Sequence, residues 1–258
     1  MEQRQENIFS EGQVLLIDKP FTWTSFDVVR KIRNLVRVKK VGHAGTLDPL
    51  ATGLLILCTG KFTKRINEYM AQEKEYTGSF TLGATTPTFD LESEPENIKD
   101  AGSVTLEEVV AITRQFTGEI WQVPPIHSAI KKEGTRVYEL ARMGKEVKLD
   151  PRKITIKEFE ITQRLSTQPP QHAISSATHP MQQGPSSTAS PLSHFPVVHF
   201  RVVCSTGTYI RSLANDVGAA LGCGAYLSSL CRTRIGEFTL GKAMNIEQAE
   251  TYIMSLRT

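Results

Sequence analysis

Residues 42–58 read GHAGTLDPLATGLLILC, and this stretch decides how the rest of the chain is organised. Three glycines and one proline fall between Gly42 and Gly53, which makes that part a loop whose backbone can approach a ligand closely. Leu54 to Cys58 is an uninterrupted apolar run, the pattern of a short buried strand. Asp48 therefore sits on a stiffened loop just ahead of buried structure, with Pro49 fixing the turn behind it. Two readings of that carboxylate stay open at this point. It is held for chemistry, or it is a turn aspartate bonding its own backbone, which is the commoner fate of Asp among glycines and prolines. His43 is similarly open between holding the loop and serving as a contact for a ligand.

Working upstream, Val14 to Ile17 reads as a buried strand that Asp18-Lys19-Pro20 interrupts. Thr24 or Ser25 then caps a helix, because Val28, Val29, Ile32, Leu35 and Val36 recur at helical spacing. Downstream, Glu75 to Leu82 alternates, with Tyr76, Gly78, Phe80 and Leu82 on one face. A helix over Leu106–Phe116 begins with a Thr105/Glu108 capping box, and Gly118 follows its last apolar residue. Strands over Lys153–Ile161 and Val197–Cys204 precede a helix over Ile210–Leu221 that ends at Gly222. Alternating strands interleaved with amphipathic helices predict an α/β (α+β) fold, a mixed, largely antiparallel sheet with flanking helices and one open face.

With 258 residues, 40% of them hydrophobic and 22% charged, the chain can bury a sizeable core. Its apolar runs are far shorter than the ~20 residues that span a bilayer, and the polar, acid-bearing first eleven residues fit no targeting signal. Cys58, Cys204, Cys223 and Cys231 form no paired motif and no His stands at zinc spacing, so a reduced, cytoplasmic protein with no metal is expected. A net charge of +3 is too mild to announce a nucleic-acid binder unless the charge is clustered. It is clustered between Arg30 and Lys40, where Arg30, Arg33 and Arg37 stand among further lysines with no acid. A second basic run, with Lys131, Lys132, Arg136 and Arg142, lies in 122–150, which reads as an excursion over the surface. Residues 166–196 hold six prolines, seven serines and no Asp, Glu, Lys or Arg, the composition of a disordered insertion between two strands. The expected organisation is a flexible start at 1–11, a folded unit over 12–249 carrying both insertions, and an end segment over 250–258.

A second cluster is Cys204-Ser205-Thr206-Gly207-Thr208-Tyr209-Ile210-Arg211. A strand ends there, Gly207 turns the chain, and Tyr209 and Arg211 emerge at a helix start. An arginine beside a carboxylate lowers its pKa, and a tyrosine beside both could stack on a planar substrate. The plainer reading is a surface arginine and a half-buried tyrosine.

Taken in order, Ile17-Asp18-Lys19-Pro20, the Gly42–Gly53 loop, Lys74-Glu75-Tyr76 and Gly207-Thr208-Tyr209-Ile210-Arg211 closely resemble the TruB-type tRNA pseudouridine synthases, in a short form without the C-terminal PUA domain that many members carry. The resemblance runs from about Gly12 to Ala249 outside 166–196. It implies the pseudouridine synthase fold and isomerisation of uridine 55 in the TΨC loop of tRNA to pseudouridine. Position by position it implies that Asp48 is the catalytic aspartate and that Tyr76 stacks on the target base. Tyr209 and Arg211 form the active-site pair whose arginine bridges the aspartate, Leu230 lines the pocket, and His43 contacts the RNA. Residues 122–150 match the family's RNA-gripping insertion. Two positions depart from the pattern: Thr22 stands where the family has Gly, and Ala44 where it commonly has Thr. The reaction needs no cofactor, the partner is tRNA with no obligatory protein partner, and a monomer is expected. The rival readings are a synthase acting on another RNA, a non-catalytic RNA chaperone on the same fold, and an aspartate hydrolase. The last would want a second carboxylate near Asp48, and Asp18 and Asp90 stand at no ligand-like spacing from it.

Overall fold

The computed structural model describes residues 7–126, 131–132, 135–136, 149–166 and 195–256. It begins with one helical turn, α1 (Ile8–Glu11), and a strand, β1 (Val14–Lys19); α2 (Ser25–Val36), β2 (Val41–His43) and β3 (Ala51–Thr59) follow. A 3-10 stretch at Gly60–Arg65 leads into α3 (Ile66–Met70), β4 (Lys74–Leu82), α4 (Leu106–Gln115) and β5 (Gly118–Gln122). Two short strands, β6 (Lys131–Lys132) and β7 (Thr135–Arg136), pair with each other. Then come β8 (Arg152–Ser166), β9 (Val197–Cys204), α5 (Ile210–Ala220), β10 (Ala225–Ile235), β11 (Phe238–Thr239) and α6 (Ile246–Ser255). None of the described helices is long and apolar enough to cross a membrane.

The larger sheet has nine strands in the order β1-β3-β10-β4-β9-β8-β5, with β2 alongside β3 and β11 alongside β10. All its pairings are antiparallel except β3 with β10, which run parallel over only three positions, Ala51–Gly53 against Leu230–Arg232. That brief contact positions the site: β10 leaves β3 just where the Asp48 loop arrives. Helices α5 and α4 pack on one face over Phe80, Phe200 and Val202. Helices α2 and α6 pack over Leu55 and Leu57 of β3, while Leu54, Ile56 and Cys58 point the other way onto Tyr69 and Ile235. The mixed, largely antiparallel expectation is met.

Several local expectations hold for the reasons given. Thr24 caps α2 through a reciprocal box with Asp27, and Thr105 caps α4 through one with Glu108. Others are corrected. The flexible start over 1–11 does not extend that far, because Asn7 caps α1 and Phe9 is fully buried against Leu15 and Val36. The boundary at 249 falls inside α6, whose Ile253 is also fully buried in the core. Strand β10 was not visible in the sequence although it lies in the middle of the sheet. Its Ser228, Ser229 and Arg232 break the apolar alternation that marks a strand. The disorder expected over 166–196 falls almost wholly outside the described residues; Ser166 ends β8, and the Pro196 carbonyl accepts from Leu82 N–H. Of 122–150, Gln122 belongs to β5 and is buried rather than opening an excursion.

Candidate active site

The Gly42–Gly53 loop is anchored from three sides before any ligand is considered. At the start of α2, Ser25 Oγ accepts from Leu47 N–H at 2.9 Å and donates to the Leu47 carbonyl at 3.2 Å. From the end of β1, Lys19 Nζ donates to the Pro49 carbonyl at 3.2 Å and to the carbonyls of Pro20 and Trp23. From β10, Arg232 donates through Nε to Leu54 O at 2.8 Å and through Nη2 to Gly45 O at 3.0 Å. Gly53 has φ +97°, and a Cβ there would strike the Arg232 carbonyl, so this crossing admits only glycine. Both cations are fully or almost fully buried, which makes them part of the scaffold rather than surface charges.

Held this way, Asp48 meets Arg211 in a two-point ion pair. Nε lies 2.9 Å from Oδ2, and Nη2 donates to Oδ1 at 3.2 Å. The planar guanidinium matches a carboxylate in this side-on approach. The arginine side chain is 4% exposed and that of Asp48 36%, so a substrate can reach the carboxylate but not the cation. On its far side, Nη1 of Arg211 donates to the Thr88 carbonyl and lies 3.4 Å from Asp90 Oδ2. Asp90 is brought in by a tight turn. Phe89 takes φ +63°, Thr86 Oγ1 donates to the Asp90 carbonyl, and Leu227 N–H donates to the Phe89 carbonyl.

Burial is the largest influence on the Asp48 carboxyl and pushes its pKa up. Arg211 is the strongest opposing influence, Asp90 pushes up again, and Lys19 pulls down. The net direction is upward, so the expectation that Arg211 by itself keeps this pKa low is corrected: desolvation outweighs the ion pair. His43 ends β2, and its pKa is lowered by burial and then by the Arg232 charge. The Tyr76 phenol is pushed up by burial, with Arg232 opposing and Asp48 adding to the rise.

The pocket beside Asp48 is lined by Leu50, Ala51, Asp90, Leu91, Leu227 and the run Ser228-Ser229-Leu230. It opens in the gap where β10 parts from β3. Of the residues singled out in the sequence, the structure brings Asp48, Arg211 and Leu230 together directly. Tyr76 stands within electrostatic reach, and Tyr209 caps α5 two residues before Arg211. Arg30, Arg33 and Arg37 are not at this pocket. Arg30 pairs with Asp27, and Arg37 lines a separate basic depression with Lys39, Lys40, Lys61 and Lys64. Arg142 and the side chains of Lys131, Lys132 and Arg136 lie outside the described residues. Sequence reasoning missed Lys19 and Arg232 as anchors and set Asp90 aside; only spatial closeness, which spacing does not reveal, could have found them.

Comparison with known proteins gives the family. Residues 33–179 match the TruB family pseudouridylate synthase N-terminal domain, and residues 211–257 match the tRNA pseudouridylate synthase B C-terminal domain. The tRNA pseudouridine synthase B of Flavobacterium johnsoniae is 47% identical over 245 residues, covering 92% of this chain and 94% of the relative. That of Parabacteroides distasonis is 45% identical over 251 residues, covering 95% and 94%. The chain belongs to the TruB pseudouridine synthase family. Among solved structures, one chain of a Cbf5-Nop10-Gar1 complex superposes with a TM-score of 0.66 at 26% identity, over 96% of this chain but only 56% of that one. A chain of an H/ACA RNP bound to a substrate RNA is 24% identical with a TM-score of 0.65, a likeness of fold that covers 58% of that chain. In this TruB-family chain the matched stretch of the N-terminal domain includes the whole Gly42–Gly53 loop, and that of the C-terminal domain begins at Arg211, so the Asp48–Arg211 pair joins the two.

Proposed function

We propose that this protein isomerises the uridine at position 55 of the TΨC loop of tRNA to pseudouridine, with Asp48 as the catalytic group. The observation that carries the reading is the accessible Asp48 carboxylate, gripped side-on by a buried arginine at the mouth of a largely apolar pocket. In the reaction the N1–C1′ bond of uridine breaks, a C5–C1′ bond forms, C5 loses its proton and N1 gains one. Atoms balance without an oxidant, a reductant or a cofactor. The target base sits inside a folded RNA loop and must be extruded, at the cost of its stacking. Leu230 with Leu50 and Leu227 offers an apolar wall, and in this reading Tyr76 and Tyr209 supply the aromatic stacking that offsets that loss. Asp48 acts ionised, as nucleophile or base, and Arg211 opposes the upward push that burial gives its pKa.

His43 and the basic side chains Arg30, Arg33, Arg37, Lys131, Lys132, Arg136 and Arg142 serve the RNA in this reading. What supports the last group is the clustering of charge in a chain of only +3 and the basic depression around Arg37. The protein works as a monomer in the cytoplasm with no obligatory protein partner. Four free cysteines, three of them buried, suit a reducing compartment.

The test is incubation of the purified protein with unmodified tRNA, followed by mapping of pseudouridine by position. Conversion at position 55, lost in Asp48→Asn while tRNA still binds, is the expected result. An Asp48→Asn variant within about tenfold of wild type, roughly 1.4 kcal/mol in barrier, would remove Asp48 as catalyst.

A further inference from the structure

Gln122, the last residue of β5, is 2% exposed and closes a two-bond ring on the backbone of Tyr209, 87 positions away. Its Oε1 accepts from Tyr209 N–H at 2.8 Å, and its Nε2 donates to the Tyr209 carbonyl at 3.1 Å. A carboxamide offers one acceptor and one donor side by side, so this side chain pairs with Tyr209 as a neighbouring strand would. The same carbonyl also accepts from Leu213 N–H, the bond that opens α5. One residue further along, Ser212 Oγ donates to the Val123 carbonyl at 2.9 Å. Residues 122–123 thus tie down the first turn of α5 at two points.

That turn carries Arg211. The apolar residues of α5, Ile210, Leu213, Ala214 and Val217, hold the helix against the sheet. Apolar packing is non-directional and does not by itself fix where along its axis a helix sits. A guanidinium that must meet Asp48 side-on and reach Asp90 and Thr88 behind it tolerates little displacement. Tyr209 makes no side-chain cap hydrogen bond to α5, and the ties from Gln122 and Val123 act on that same first turn.

We propose that Gln122 is a positioning residue for the reaction: it sets the first turn of α5 so that Arg211 grips Asp48. The inference rests on the function proposed above, and its test includes a readout that needs no turnover. Compare wild type with Gln122→Met, which keeps the bulk and loses both bonds, and with Ile154→Val, a core change on the neighbouring strand β8 opposite Ile120 that leaves Gln122 intact. Follow the Asp48 carboxyl by 13C NMR titration without RNA, and measure single-turnover conversion, RNA affinity and melting temperature. Gln122→Met is expected to raise the Asp48 pKa by about half a unit or more and to slow conversion by about tenfold or more, with RNA affinity little changed. Ile154→Val lowers the melting temperature without either effect. If Gln122→Met does not fold, Gln122→Asn, which keeps the amide but falls one methylene short of Tyr209, carries the same readouts. An Asp48 titration that matches wild type, or a loss of rate no greater than that of Ile154→Val, overturns the proposal. Absence of wild-type conversion would instead overturn the function, and the titration would still decide the role of Gln122.

Discussion

Replacing Arg211 with methionine removes the guanidinium that faces both Asp48 and Asp90. Unit charges about 4 Å apart at an effective dielectric near 20 attract by about 4 kcal/mol. The Asp48 side chain is 36% exposed, so solvent screening takes the loss down to about 2 kcal/mol, or about 1.5 pKa units. The direction is upward, and Asp90, now unopposed, pushes the same way. In the reaction proposed above Asp48 acts ionised, so activity is lost as pH falls through its pKa. The acid limb of kcat/KM against pH should therefore move up by about 1.5 units.

Two companion variants separate charge from geometry. Arg211→Lys keeps the cation but not the fork, so its acid limb stays near that of wild type while its rate falls. Adding Asp90→Asn to Arg211→Met removes the second carboxylate and brings part of the shift back. Stability follows the same logic. Arg211→Met leaves Asp90, 6% exposed, with its charge uncompensated, which costs about 3–5 kcal/mol in urea denaturation and is recovered in the double variant. A folded Arg211→Met whose acid limb coincides with that of wild type would refute the electrostatic reasoning.

Thr22 stands at φ +68°, a left-handed conformation that a β-branched residue adopts only under strain. Thr22→Gly should stabilise the protein by about 0.5–1 kcal/mol, seen as a rise of a few degrees in melting temperature. Lys74 is buried, its pKa is pushed down to about 8 by desolvation, and the unfolded chain holds that proton up to about 10.5. The cost of burying the ammonium is thus present below pH 8 and fades as pH rises to 10.5, so any stability advantage of Lys74→Met should shrink across that window. Charge removal at Lys131, Lys132 and Arg136 together should weaken tRNA binding and flatten its salt dependence without moving the modified uridine; an unchanged slope would take these residues off the RNA surface.

What was legible in the sequence was local. Thr105 announces its helix because a cap and its partner lie three residues apart, the helix after Thr24 or Ser25 follows from its apolar spacing, and the Tyr76, Phe80, Leu82 face of β4 follows from alternation alone. Of the candidate site, the motifs pointed to Asp48, Arg211 and Leu230, which the fold brings together. Asp90 was not, because its approach to Arg211 depends on a left-handed Phe89 and on Leu227 holding that turn from another strand. Phe9 gave no signal, being a lone aromatic with no periodic neighbours, although it is fully buried. Gln122 looked like the start of a surface excursion because a buried amide is indistinguishable in sequence from an exposed one.

The anchors of the Asp48 loop explain a feature that would otherwise count against the fold. Lys19 and Arg232 are buried, as is Lys74 away from the loop, and among the described residues their hydrogen bonds go to backbone carbonyls and, for Arg232, to the Tyr76 side chain rather than to a carboxylate. Burial pulls the pKa of Lys19, like that of Lys74, down to about 8, and carbonyl partners offset that desolvation less well than a paired carboxylate would. A carboxylate partner for Lys19 or Arg232 would hold the cation better, but it would stand near Asp48 and push its pKa further up, as Asp90 already does. Anchoring through carbonyls fixes the loop while Lys19 contributes only a pull downward on Asp48. The arrangement gives up stability at the anchors and keeps the one accessible carboxylate of the pocket closer to its ionised state.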